Sequence, residues 1–132
     1  MTTQLGMQAV LKIPFDQAIE STTAALKAEG FGVLTRIDAH TVFKEKINVD
    51  FRPYVILGAC NPPLAHRALS ANSDVGLLLP CNVTVQDEGG KSIVTAVNPE
   101  QMLGAVGADP AVSAVAAEAK AKLERVITAL KA

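Results

Sequence analysis

Apolar residues recur with a period of two at the start of the chain. Leu5, Met7, Ala9, Leu11 and Ile13 alternate with mostly polar neighbours, which predicts a half-buried first strand. The period then lengthens. Phe15, Ala18, Ile19, Thr22 and Leu26 share one face at helical spacing behind Pro14, a residue whose missing N–H costs nothing where a helix begins. Gly30 is placed to take the left-handed conformation that ends such a helix. Residues 31–37 read as a second strand, and Asp38 as the cap of a short helix over residues 39–46 that would bury Val42, Phe43 and Ile47. Behind Pro53, residues 54–59 form an apolar run without alternation, the pattern of a central strand covered on both faces. Gly58 within that run predicts a bend or a close backbone approach.

Pro62-Pro63 opens a predicted helix over residues 64–70, Asn72-Ser73-Asp74 reads as a turn, and the apolar residues 75–79 read as another strand. Tyr54–Cys81 is therefore predicted as a short βαβ unit, whose two strands would run parallel. Asp87-Glu88-Gly89-Gly90 between two alternating runs predicts a β-hairpin, Val83–Val97. Asn98-Pro99 opens a short helical turn containing Met102 and Leu103. Asp109 as cap and Pro110 as first helical residue begin the last helix, with a stripe through Val112, Val115, Ala119, Leu123, Val126 and Leu130. At 1.5 Å per residue it would be about 33 Å long. The expected fold is α+β: a two-layer sandwich with a mixed sheet of about six strands, helices on one face and a long C-terminal helix.

Composition narrows the function classes. A length of 132 residues suits a single domain, 1–132, with one core. The net charge of -1 gives no general attraction to nucleic acid or to an anionic membrane, and neither is expected as a partner. Aromatic residues are 4% and Trp is absent, so the core must be aliphatic and base-stacking platforms are not expected. The first residues do not have the pattern of a leader peptide, and no apolar run approaches the roughly 20 residues of a membrane span. The expected location is the cytoplasm, where thiols stay reduced.

The chemistry on offer is concentrated in two blocks. Cys60-Asn61 closes one apolar run and Cys81-Asn82 closes another, and these are the only two cysteines. Parallel strands would bring both blocks to one sheet edge, whereas antiparallel strands are expected to separate them. A ligand site there would use Cys60, Asn61, His66, Cys81 and Asn82. Cys60, His66 and Cys81 are thiolate and imidazole groups of the kind that suit zinc or copper(I), although their spacing matches no standard zinc pattern and no cofactor is required. As a thiol catalyst the same site would use Cys60 or Cys81 as nucleophile, Cys60 being lowered in pKa just before a helix start, with His66 as base. The plainer account makes both cysteines small buried hydrophobes and both asparagines turn residues. His40 reads as an exposed helix-start residue, and Arg52 and Arg67 as surface-paired cations. No phosphate loop, nucleophile elbow or His-Glu-x-x-His motif is present.

The segment Tyr54-Val55-Ile56-Leu57-Gly58-Ala59-Cys60-Asn61-Pro62-Pro63-Leu64-Ala65-His66-Arg67-Ala68-Leu69 closely resembles the core motif of domain-of-unknown-function family 302. Gly76-Leu77-Leu78-Leu79-Pro80-Cys81-Asn82-Val83, Gly30-Phe31-Gly32-Val33-Leu34 and the Asn98-Pro99 and Met102-Leu103 pairs resemble it too. The resemblance implies a small two-layer domain that forms homodimers, with Cys60, Asn61, Pro62, His66, Cys81 and Asn82 as its signature; it implies no activity. The expected function is a dimeric binding module for a small polar ligand or a soft metal. The alternatives are a thiol-dependent redox or nucleophilic enzyme, or purely structural cysteines.

Overall fold

A computed structural model describes residues 5–131; residues 1–4, part of the stretch read above for a leader, and residue 132 lie outside it. The elements in chain order are β1 (Gly6–Leu11), α1 (Phe15–Ala28), β2 (Gly32–Asp38), α2 (Ala39–Ile47), β3 (Tyr54–Cys60), α3 (Pro62–Ala71), β4 (Cys81–Glu88), β5 (Lys91–Val97), α4 (Pro99–Leu103) and α5 (Pro110–Lys131), with 3-10 turns at Ser73–Leu78 and Gly104–Val106. The α+β class, the one-sided helical layer and the long last helix are as the sequence predicts.

The sheet has five strands in the order β1-β5-β4-β3-β2, and every neighbouring pair is antiparallel. Two expectations therefore fail, the mixed six-stranded sheet and the βαβ unit over Tyr54–Cys81. Residues 75–79 do not form a strand. Asn72 Oδ1 accepts the Asp74 N–H at 2.9 Å and starts a 3-10 turn that carries Val75 inward and leaves Leu77 86% exposed. A five-residue apolar run has no period long enough to separate a strand from a short helical segment, and here the capping turn decided. The hairpin forms, but its first strand begins at Cys81 rather than Val83 and runs to Glu88.

Alternation sets which face is buried. Ala9, Val94, Val85 and Val55 lie in register across the sheet, as do Met7, Ala96, Val83 and Leu57, and all eight are buried. Against this face pack Ala18, Ile19 and Leu26 of α1 and Leu123, Val126 and Ile127 of α5. A second cluster joins α3, α4, α5 and the 3-10 turn through Leu64, Ala68, Val75, Leu103, Val115 and Ala119. The α1 stripe is the one its spacing predicts. Its end is closed by Gly30 at φ +84°, with Phe31 N–H donating to Leu26 O and Gly30 N–H to Lys27 O, the Schellman arrangement that satisfies terminal carbonyls. Asp109 caps α5 as expected, its Oδ1 accepting from Ala111 and Val112 N–H.

The second helix departs from its prediction. Asp38 makes no side-chain cap; its carboxylate pairs with Arg36 at 3.0 Å. Val42 and Ile47 are exposed, and Ala39 is the buried residue of α2. His40 is half-buried, contrary to the sequence reading: its Nδ1 accepts the Tyr54 N–H at 3.0 Å and its ring meets Phe15 edge-on. Among the described residues no helix is long and apolar enough to cross a membrane.

Candidate functional site

Two strand ends and a helix start build the site. β3 finishes at Cys60, and β4, which returns beside it in the opposite direction, begins at Cys81. Register places Cys81 opposite Ala59, while Cys60 lies opposite Gly32 of β2 on its other side. The two thiols thus reach the same end of the sheet. The expectation that antiparallel strands would part them was wrong, because it took Cys81 as the end of a strand when it is the beginning of one. Neither cysteine is in a disulfide.

Asn61 joins the strand to the helix. Its Oδ1 accepts the Leu64 N–H at 3.3 Å as the N-cap of α3, and its Nδ2 donates to Glu29 O, 3.4 Å away at the end of α1. Gly58 serves a different purpose. A methyl group built there would collide with Thr35 Oγ1 and with Pro80 Cγ, so its lack of a side chain lets β2 and the segment before β4 close over β3.

Beside these residues lies a cavity of about 370 Å³. Cys60, Asn61 and Cys81 all line it, together with Leu64 and Ala68 of α3 and Ala119 of α5. None of its lining side chains carries a formal charge. His66 and Asn82 do not line it: His66 is exposed on α3, and Asn82 is exposed beside Gly58 on β4. The five predicted site residues therefore divide into three that converge and two that face solvent. Arg67 pairs with Glu118, and Arg52 donates to Gln86 at 2.9 Å and lies over the Phe51 ring, so both cations have surface partners as expected.

Electrostatics at the site favour neutral groups. Burial, and secondarily the neighbouring Cys60, pushes the Cys81 thiol up from 9.0 to about 11. At neutral pH it is a thiol, not the thiolate that attacks or binds metal. Among the described residues no group of three or more His, Cys, Asp and Glu side chains is arranged to hold a metal ion. What the cavity can do chemically is enclose uncharged, apolar matter.

Sequence reasoning missed most of the lining. Leu34 sits where β2 shifts register between Val33 and Thr35, and no local pattern announces that irregularity. Val115 and Ala119 belong to the expected stripe of α5, but spacing alone cannot show that the stripe borders a void rather than solid core.

The family described as domain of unknown function DUF302 matches residues 7–130. A crystal structure of an uncharacterized conserved DUF302 protein from Bacillus stearothermophilus is similar in sequence and in fold. Its identity to this chain is 32% and the TM-score is 0.86, over 96% of this chain and 98% of that one. The chain matches no curated protein. With a family match across nearly its whole length and the same fold in that relative, the chain belongs to the DUF302 family.

Proposed function

We propose that this domain is a small-molecule binding module and that the cavity at the Cys60 and Cys81 end of the sheet is its site. The observation that carries the reading is the cavity itself. Its volume of about 370 Å³ falls in the range of roughly 300–1,000 Å³ usual for ligand pockets, which are mostly apolar with a few polar groups. The uncharged lining moves the expected ligand from the polar molecule or soft metal suggested by the sequence to a neutral, apolar one, since an unpaired charge buried there would be heavily penalised. Thiol catalysis is the weaker reading, because Cys81 holds its proton and His66 faces solvent outside the cavity. Two unpaired cysteines fit a reducing compartment such as the cytoplasm.

Titration with N-phenyl-1-naphthylamine, a neutral probe that fluoresces in apolar surroundings, tests the reading. The expected result is saturable binding of one probe per chain, weakened at least tenfold by Ala119→Leu and by Ala65→Phe, which add bulk to the lining from α5 and from α3. Circular dichroism reports whether each variant is folded. No saturable binding to the wild type, or undiminished binding to both folded variants, overturns it.

A homodimer is proposed as well, through the sheet face that the helices leave bare. Gln8, Thr95, Thr84, Ile56 and Ile37 cross that face in one register row, and Val10, Ile93, Gln86 and Tyr54 in the next. None is charged, so two copies would meet there without like-charge repulsion.

A further inference from the structure

The shape of the cavity says more about its ligand than its volume does. Its lining begins among the helices, at Leu103, Val115 and Ala119. It passes the end of the sheet at Ala59, Cys60 and Cys81 and continues to Leu34, Thr35 and Pro80. Of these last, Thr35 and Pro80 are on the other side of the sheet. Val55, Leu57 and Ala59 are buried toward the helices, so the intervening Gly58 faces away from them, and its missing side chain is the one that would strike Thr35 and Pro80. The space therefore wraps around the ends of β3 and β4 instead of forming a rounded chamber. Two of the lining leucines are also exposed, Leu34 at 68% and Leu69 at 41%, so the apolar lining reaches the surface there.

Resting on the binding-module reading above, we infer that the ligand is a molecule with one unbranched aliphatic chain and an uncharged head, its chain threaded past Cys60 and Cys81. A flexible chain can follow the whole of a bent, apolar course around a sheet end, whereas a rigid ring system fills only one arm of it. Asn61, the lining residue with the strongest polar groups, has both ends of its amide committed to Leu64 and Glu29. The chain therefore passes it without competing for those hydrogen bonds, and the head remains at the exposed leucines.

Displacement of N-phenyl-1-naphthylamine by 1-hexanol, 1-octanol and 1-decanol tests the inference. Each methylene buried should tighten binding roughly fourfold, so decanol should bind on the order of a hundredfold more tightly than hexanol. Leu34→Ser, an exposed change that leaves the core intact, should weaken decanol several-fold and hexanol little. Naphthalene-type rings should displace the probe less well than decanol. If the probe binds in the cavity but affinity is flat along the alcohol series, or bicyclic aromatics compete as well as decanol, the chain assignment is overturned while the binding-module reading survives. If no probe binds the wild type, both fall.

Discussion

Cys81 shows at the scale of one residue what burial does to a reactive group. Its thiol sits at a strand start on the core side of the sheet, with its pKa raised from 9.0 to about 11. A raised pKa in the folded state means that the fold favours the protonated form. The stabilisation is complete below pH 9, declines as pH rises from 9 to 11, and is gone above the folded pKa. Two units correspond to about 2–3 kcal/mol. Urea unfolding of the wild type should accordingly lose stability between pH 9 and 11 more steeply than Cys81→Ala does, with the difference confined to that window. Parallel pH profiles would refute the burial account. Asn61 illustrates the opposite case, a polar residue whose value is structural. Both hydrogen-bonding ends of its side chain are used, and it is 8% exposed.

The loss of Asn61 acts at the level of the element. Replacing a good N-cap by Ala typically costs about 0.5–2 kcal/mol, and the tie to Glu29 O adds to that here. Asn61→Ala is expected to lower unfolding stability by about 2 kcal/mol, and Asn61→Ser by less, since Ser keeps a capping acceptor and loses only the tie to Glu29 O. Equal stability of wild type and Asn61→Ala in urea would show that α3 does not need its cap. Elements with long periodic stripes or strong terminal signals, such as α1, α5 and the β4–β5 hairpin, were legible in the sequence. The segment 75–79 was not: a short apolar run carries no usable period, and its neighbours in space turned out to be helices. In α2, Val42 and Ile47 occupy positions with helical spacing, yet no element covers them, because α2 lies at the margin of the sheet.

At the scale of the whole molecule, the sheet has one covered and one bare face. The bare face carries exposed Ile37 of β2, and exposed apolar residues follow β2 at Val42 and Phe51. Static light scattering at 0.1 mM is expected to give the mass of two chains. Ile37→Glu together with Thr84→Glu, each placing a charge on that face, should return the mass of one without disturbing the helical side. A monomeric wild type at that concentration would rule the dimer out.

The sequence by itself determined the α+β class, most helix boundaries and the hairpin. Those follow from local periodicity, caps and turn residues, which act over a few positions. Only the tertiary structure decided that β3 and β4 are antiparallel, that Cys60 and Cys81 nevertheless lie at the same sheet end, that His66 and Asn82 turn away, and that an apolar cavity lies beside Cys60 and Cys81. These depend on which strand pairs with which and on how α3, α5 and the 3-10 turn close over the sheet end, contacts between residues far apart in the chain that no local pattern encodes.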